Sequence, residues 1–341
     1  MTMQRFISKA PANTMLLGEH SVVYGQPALA CALDQWIEIE WQQREDQKVL
    51  IFSEIAQHTC DLQQLEIHPK LRFIGLALKH FQSALLQLGH GWELRVLSEF
   101  PSTIGLGSSA AVLAATLAGL NQITKSKLSK LELWQIGKEI IVEIQGRGSA
   151  TDLAASLFGG VVFIQPPTEK QALKIESLPV NMDILLVYSG YKTPTAEVLE
   201  IVAQNWKAQP EMLDALYREM GQITQGAYHA LTEHNWPVFY HSFEQYQSLM
   251  ERLGVSDMTL DFLIAQLRAC PLVWASKISG SGLGDCVLAI GEVYSKHRPQ
   301  REKKPLLHEC PEPEVVKNYL QLQLPISPIG THIKNEPVQQ A

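Results

Sequence analysis

A segment rich in glycine and serine, 101–111 (PSTIGLGSSAA), is the most informative chemical feature of the sequence. It leads into a run of Ala, Leu and Val, so it predicts a turn that opens a helix. Free backbone N–H groups at a helix start, together with the positive end of the helix dipole, bind anions, and glycines let phosphate oxygens approach the backbone. Serine hydroxyls add donors and a ligand for Mg²⁺. The segment therefore predicts a phosphate-binding loop, with a tight turn before a packed helix as the alternative.

A second glycine-rich segment, 146–152 (GRGSATD), places a carboxylate at the entry to an apolar helix. Taken alone, the spacing of Ser149 and Asp152 indicates only a helix start. In a chain that also has a phosphate loop, Asp152 becomes a candidate base for a substrate hydroxyl, because the attacking oxygen in phosphoryl transfer must lose its proton.

Two further segments carry weaker signals. The segment 280–286 (GSGLGDC) precedes an apolar strand, as many glycine-rich turns do. The segment 18–25 (GEHSVVYG) places Glu19 and His20 beside apolar residues, and on composition alone such a histidine is more often structural than catalytic. Neither segment predicts a function by itself.

Known nucleotide-binding motifs do not explain the phosphate loop. No G-x-x-x-x-G-K-[ST] run occurs in the chain, which excludes a Walker A loop. The letters of the Rossmann fingerprint occur from Gly105 to Ala110, but a proline separates them from the preceding strand, and the residues about 20 further on are polar and basic instead of acidic.

The spacing of apolar residues predicts the elements that must position these segments. Alternation over 37–41 and 92–96 predicts two half-buried strands that pair antiparallel. Apolar residues every three or four positions over 71–88 predict one helix that ends at Gly89.

A capping box marks the next helix, because Ser129 is followed three residues later by Glu132, and the helix runs towards Gly146. Later patterns predict buried strands over 161–164 and 184–188 and a helical block over 195–270. They then predict a strand over 286–290, a short helix over 311–324 and a last strand over 326–333. Strands, a helical block and strands again favour an α+β chain in two halves. We expect an N-terminal domain over 1–175, a C-terminal domain over 176–335 and a tail over 336–341.

The composition is that of an ordinary globular protein and excludes several classes of function. Of 341 residues, 46% are hydrophobic and 18% are charged, and the net charge is −7. A net acidic chain is a poor general ligand for nucleic acid or anionic membranes. No apolar run approaches the about 18 residues of a membrane span, and the start lacks a secretory pattern. Five cysteines without C-x-x-C spacing suit reduced thiols, so we expect a cytoplasmic protein.

Taken together, the order of these segments resembles the family of galactokinase, homoserine kinase, mevalonate kinase and phosphomevalonate kinase, the GHMP kinases. The segment 10–25 is similar to the family's first motif, 105–111 to its second and 280–286 to its third, and the likeness covers most of the chain. The resemblance implies an α+β fold of two domains. The N-terminal, ATP-binding domain would be like the second domain of a small-subunit ribosomal protein, and the C-terminal domain would be ferredoxin-like.

The resemblance also implies roles for individual residues. Asp152 matches the family's catalytic aspartate, and Ser109 matches the serine that binds Mg²⁺. The phosphates of ATP would lie on Gly105, Leu106, Gly107, Ser108, Ser109 and Ala110. The substrate would lie against Glu19, His20, Lys192, Thr195 and Gly282.

The implied activity is transfer of phosphate from ATP, with Mg²⁺, to the primary hydroxyl of mevalonate in isoprenoid precursor biosynthesis, because Gly18-Glu19-His20 is the form found in the family's mevalonate kinases. The expected partner is this small-molecule substrate, with a homodimer as the candidate assembly. Neither nucleic acid nor a membrane is expected as a partner.

Two positions depart from the family pattern. The family lysine of the first motif is Asn13 here, and Lys9 and Lys192 are candidate replacements. The family glutamate that shares Mg²⁺, eleven residues before the aspartate, is Ile141 here.

Three alternatives stay open. Asp285 and the run 152–156 resemble phosphomevalonate kinases, which makes that activity the second candidate. A related decarboxylase, which phosphorylates its substrate before CO₂ is lost, is the third. A nucleotide-binding regulator without turnover is the fourth, and it is motivated by Asn13 and Ile141.

Overall fold

The computed structural model describes residues 3–102, 104–168, 171–291 and 318–334. The described strands, in chain order, are β1 (Arg5–Leu17), β2 (Ala28–Gln43), β3 (Lys48–Phe52), β4 (Gln57–Asp61), β5 (Trp92–Ser98), β6 (Val161–Gln165), β7 (Lys174–Leu178), β8 (Asp183–Tyr188), β9 (Val273–Ser279), β10 (Cys286–Gly291), β11 (Gln321–Pro325) and β12 (His332–Lys334). The described α-helices are α1 (Arg72–His80), α2 (Gln82–Leu88), α3 (Ser108–Thr124), α4 (Lys130–Gln145), α5 (Thr151–Phe158), α6 (Thr195–Asn205), α7 (Pro210–Thr232), α8 (Trp236–Leu253) and α9 (Met258–Ala269). The predicted α+β class is confirmed.

The strands form two sheets. The first sheet has eight strands in the order β12-β1-β2-β5-β3-β4, with β6 paired to β2 and β7 paired to β6. The second sheet has four strands in the order β11-β8-β10-β9. Sheet membership changes between β7 and β8, and the chain returns at β12 to pair with β1. The boundaries 1–175 and 176–335 stay predictions, and the tail 336–341 lies outside the described residues.

Helices cover both sheets and complete the core. Helices α3 and α5 pack on β1 and β2, whereas α8 and α9 pack on β9 of the second sheet. Helix α3 consists largely of small apolar residues, and most of them are buried. Small side chains allow the close approach between helix and sheet that brings the start of α3 next to β1. Across the described ranges, no helix is long and apolar enough to cross a membrane.

The strand pattern of the N-terminal half is confirmed. Ile37, Ile39 and Trp41 are buried on β2. Strand β2 pairs antiparallel with β5 from Ile37 opposite Ser98 to Gln43 opposite Trp92. The two half-buried patterns thus lie side by side on paired strands.

The capping box is also confirmed, but the single helix over 71–88 is wrong. Ser129 accepts a hydrogen bond from the backbone N–H of Glu132, and α4 closes at Gly146 in a left-handed conformation. Between α1 and α2 the backbone leaves helical geometry at Phe81, with φ −94° and ψ 6°. The apolar spacing runs through this bend because Phe81 and Leu85 are both buried, so periodicity alone does not reveal it.

Two expectations for the C-terminal part are corrected. Residues 311–317 of the expected helix lie outside the described residues, and Gln321–Pro325 form strand β11 instead, because they pair with β8. The expected last strand begins only at His332. Cys31, Cys60 and Cys286 are free thiols, whereas Cys270 is disulfide-bonded, so the expectation of reduced thiols does not hold for Cys270.

Candidate active site

A cavity of about 740 Å³ lies where the two sheets meet, and the glycine-rich segments line it. Residues from β1, from the start of α3, from the loop before α5 and from the turn after β9 contribute to its wall. Of the residues to which the family resemblance assigns a role, nine line it, namely Gly105, Leu106, Gly107, Ser108, Ser109, Ala110, Asp152, Lys192 and Thr195. The structure therefore brings the predicted phosphate loop and the predicted base to one cavity.

The phosphate loop ends in a conformation that suits glycine. Gly107 precedes α3 with φ 63°, in the left-handed region. A Cβ there would lie 1.9 Å from Oδ1 of Asn13, so any side chain would collide with β1. Glycine is therefore required at this turn, and the first N–H groups of α3 are available to an anion in the cavity.

Asn13 of β1 supports this loop from beneath. Its backbone N–H donates to the carbonyl of Leu106 at 3.1 Å. Its side-chain Nδ2 donates to the carbonyl of Gly107 at 3.2 Å and to Oγ of Ser156 at 2.8 Å. Asn13 is thus a neutral brace at the position where the family pattern has a lysine. Of the two candidate replacements, Lys192 lines the cavity, whereas Lys9 pairs with Glu38 at 2.5 Å outside the lining.

Asp152 lies in the first turn of α5. The residue before the helix, Ala150, has φ 55°, and its carbonyl accepts a hydrogen bond from Nε1 of Trp134 at 2.8 Å. Burial raises the pKa of the Asp152 carboxyl to about 6, and the negative charge of Glu19 adds to the rise. Lys192 lowers this pKa and Asp285 raises it. A carboxyl with this pKa is mostly ionised at neutral pH and can still take up a proton, which suits a general base.

An ion pair stands between the phosphate loop and the second sheet. Nζ of Lys192 lies 3.0 Å from Oδ2 of Asp285. Asp285 has φ 65°, and its carboxylate lies so near Gly105 that a Cβ on that glycine would be 2.1 Å from Oδ1. Burial raises the pKa of Asp285, while Lys192 lowers it. A carboxylate against a phosphate loop repels an anion unless a nearby cation offsets its charge, and Lys192 is such a cation.

Glu19 and His20 lie behind the cavity wall instead of lining it. Oε1 of Glu19 accepts a hydrogen bond from Nζ of Lys277 at 2.5 Å. Nε2 of His20 lies 2.7 Å from the carbonyl of Ser281. Burial lowers the pKa of His20 to about 4, so the ring is neutral at neutral pH and Nε2 carries the proton that it donates to that carbonyl. Gly282 is also buried outside the lining, against Val255.

Three polar residues of the site were not singled out by their motifs. Thr14 of β1 and Ser279 at the end of β9 join their hydroxyls at 2.6 Å, and both line the cavity. Lys277 is fully buried within β9. Lys277 is the one charged residue of β9 (VWASKIS), and its position next to the third motif is the signal for it in the sequence, whereas no local pattern identifies Thr14.

Comparison with known proteins agrees with this geometry. The family model described as the GHMP kinases N terminal domain matches residues 72–160. The crystal structure of the Methanococcus jannaschii mevalonate kinase superposes with a TM-score of 0.73, at 23% identity, over 94% of this chain and 98% of that one. The fold is that of the GHMP kinases, a class of phosphotransferases that act on alcohol groups.

Curated relatives carry the comparison further. The mevalonate kinase of Archaeoglobus fulgidus is 30% identical over 83% of this chain and 92% of its own length. The mevalonate kinase of Pyrococcus furiosus is 28% identical over 84% of this chain and 89% of its own length. The chain belongs to the mevalonate kinase family of the GHMP kinases.

Proposed function

We propose that this protein transfers the terminal phosphate of ATP to the primary hydroxyl of mevalonate, giving mevalonate 5-phosphate for isoprenoid precursor biosynthesis. The observation that carries the proposal is one cavity that is lined both by the open start of α3 and by Asp152. An anion site next to a base is the arrangement that phosphoryl transfer to an alcohol requires.

The start of α3 is the proposed site for the phosphates of ATP. The segment from Gly105 to Ala110 lines the cavity, and α3 is a helix of 17 residues whose first N–H groups have no partner within the helix. Arg147 and Lys192 add positive charge to the same wall. Catalysis by such a site is mostly positioning and neutralisation of charge.

The residues of the cavity also fit Mg²⁺, which prefers oxygen ligands. Oδ1 of Asp285 is buried and lacks a hydrogen-bond partner among the described residues, and the hydroxyl of Ser109 lines the same cavity. Ile141 lines it with an apolar side chain and supplies no ligand. We propose Ser109 and Asp285 as the residues that hold the ion. When bound, Mg²⁺ neutralises the phosphate charge that develops during transfer.

Asp152 is the proposed base. Its carboxylate accepts the proton of the substrate hydroxyl while that oxygen forms a bond to the terminal phosphorus, and the bond from phosphorus to the β-phosphate oxygen breaks. Lys192, paired with Asp285, stabilises negative charge on the transferred group. Thr195 lies at the start of α6 and lines the cavity, where it contacts the substrate in this proposal. Glu19, His20 and Gly282 form the layer behind that contact.

Phosphomevalonate kinase is the second candidate, and Asp285 favours it by its likeness to that motif. The charges of the cavity argue against it. Among the described lining residues, Arg147 and Lys192 are the cationic side chains, and the proposal already assigns both of them to the charge of ATP. The phosphate group of mevalonate 5-phosphate would add roughly two negative charges at pH 7 to the several that ATP brings.

The test is release of ADP from ATP and Mg²⁺ with mevalonate and with mevalonate 5-phosphate in parallel, each product being identified by mass spectrometry. Selective turnover of mevalonate supports the proposal. Turnover of the phosphorylated substrate alone would assign the second candidate. ATP binding without release of ADP in the presence of either substrate would instead favour a nucleotide-binding regulator without turnover.

The proposal extends to the setting of the enzyme. We place it in the cytoplasm, and the net charge of −7 disfavours binding to nucleic acid or to an anionic membrane. A homodimer is the proposed assembly, and sedimentation equilibrium of the full chain distinguishes it from a monomer.

A further inference from the structure

Lys277 and Glu19 form an ion pair that is buried on both sides. The side chain of Lys277 is 0% exposed and that of Glu19 is 2% exposed, and Nζ lies 2.5 Å from Oε1. Nζ also donates to the carbonyl of Ile278 and lies 5.5 Å from the ring centre of Tyr246. Lys277 belongs to the second sheet and Glu19 to the segment after β1, so the pair connects the two halves of the cavity wall.

Such a pair is expensive to bury, and apolar residues of similar volume often stabilise a fold as well or better. Its two charges are also incompletely satisfied, because Oε2 of Glu19 is buried without a hydrogen-bond partner. A contribution to stability alone therefore does not explain why this ion pair is buried here. A role in holding a charged group at a fixed position explains it better.

The charge it fixes acts on Asp152. Glu19 is the largest charged contributor to the raised pKa of the Asp152 carboxyl after burial itself. The other groups that face Glu19 are neutral at neutral pH, since burial lowers the pKa of His20 to about 4 and raises that of Tyr246. Around Asp152 itself, Lys192 and Asp285 oppose each other.

We propose that Lys277 is a positioning residue for phosphoryl transfer, which holds the Glu19 carboxylate in place behind the cavity wall and thereby sets the electrostatic environment of the base, Asp152. This inference rests on the proposed function only for its kinetic consequence. Lys277 acts through Glu19 and contacts neither ATP nor substrate. It is a charge that the three glycine-rich motifs leave without a role.

The first test needs no substrate. Carbon-13 NMR of aspartate-labelled protein follows the titration of the Asp152 carboxyl, which is assigned by its loss in Asp152→Asn. We expect Glu19→Gln to lower the pH midpoint of Asp152, because it removes a negative charge. Lys9→Met is the matched control, since it breaks an ion pair of equal length, 2.5 Å, outside the cavity lining, and we expect it to leave the midpoint unchanged. An unchanged midpoint in Glu19→Gln would overturn the electrostatic link.

The second test compares Lys277→Met, Glu19→Gln and the double variant by kcat and by thermal unfolding. Lys277→Met leaves a buried carboxylate without a partner, and we expect about tenfold to a hundredfold loss of kcat, as for other positioning residues. If Lys277 acts only through Glu19, the double variant is no slower than Glu19→Gln and melts higher than Lys277→Met.

Two results would contradict this expectation. Losses that multiply in the double variant would show that Lys277 acts independently of Glu19. A Lys277→Met enzyme that melts lower but keeps the wild-type kcat and its pH profile would show a merely structural pair. If the wild-type protein does not turn over mevalonate, the proposed function is refuted. If Glu19→Gln nevertheless lowers the pH midpoint of Asp152, the link between Glu19 and Asp152 still holds.

Discussion

Asp152 combines two requirements that conflict in a folded protein, because a base must be ionised and burial opposes ionisation. Its pKa of about 6 predicts that kcat falls as the pH drops below about 6, approaching tenfold per pH unit, since the protonated carboxyl cannot accept the substrate proton. Asp152→Asn should lower kcat by about 10²- to 10⁴-fold with little change in ATP affinity. ADP release between about pH 5 and pH 8, with ATP binding by calorimetry, measures both.

Asp183→Asn is the matched control for this variant. Burial also raises the pKa of Asp183, but the residue begins β8 and lies outside the cavity lining. We expect normal kcat and an unchanged acid limb in this control. Near-normal turnover by Asp152→Asn with intact ATP binding would mean that another group is the base.

The same burial predicts a gain in stability when Asp152 loses its charge. In the folded state its pKa lies above the ordinary value of 3.8, so the stabilising effect of the neutral form is complete below about pH 4 and is lost as the pH rises through about 6. Asp152→Asn should therefore melt a few degrees higher than wild type at pH 7. The difference should shrink towards zero near pH 4. Calorimetric melting at both pH values checks it, and a variant that melts lower at pH 7 would refute the assignment of burial as the dominant cause.

At the scale of elements, a comparison of two glycine substitutions tests whether the turn before α3 binds ATP. Gly107→Ala places a Cβ 1.9 Å from Oδ1 of Asn13, whereas Gly89→Ala, at the end of α2, meets nothing within 4 Å. Both glycines have left-handed φ values, 63° and 74°, so both substitutions strain the backbone by about 1 kcal/mol. Only Gly107→Ala should also raise the KM for ATP, by about tenfold or more, because the loop must shift. Equal effects of the two variants on KM would contradict the phosphate assignment.

Elements that depend on local signals could be predicted from the sequence. The capping box of Ser129 and Glu132 determines the start of α4 through contacts three residues apart. The bend at Phe81 and the strand β11 could not be predicted, because each depends on packing or pairing with distant residues. The site divides in the same way: the glycine segments predicted the phosphate loop, but the partner of Glu19 is a lysine 258 residues away in the sequence.

At the scale of the whole molecule, three polar contacts join the two sheets at the cavity. Thr14 bonds to Ser279, Glu19 to Lys277 and His20 to the carbonyl of Ser281. Each contact joins the first motif to β9 or to the turn that follows it. Substitutions at this junction should therefore change the stability of the whole chain as well as the geometry of the cavity.

His20 gives this junction a dependence on pH whose sign follows from its burial. The folded-state pKa of His20 is about 4, below the ordinary value of 6.5. The contribution of neutral His20 to the stability of the fold is therefore complete above about pH 6.5 and is lost as the pH falls through about 4. His20→Asn keeps a polar side chain at this position but lacks the reach to the carbonyl of Ser281. We expect it to melt lower than wild type at neutral pH, consistent with a lost buried hydrogen bond of about 1 kcal/mol. The gap should narrow towards pH 4, where unfolding of the wild type takes up a proton at His20 and that of the variant does not. Asp152 titrates in both proteins and cancels in the difference. A gap that stays constant across this range would mean that His20 is not held neutral by the fold.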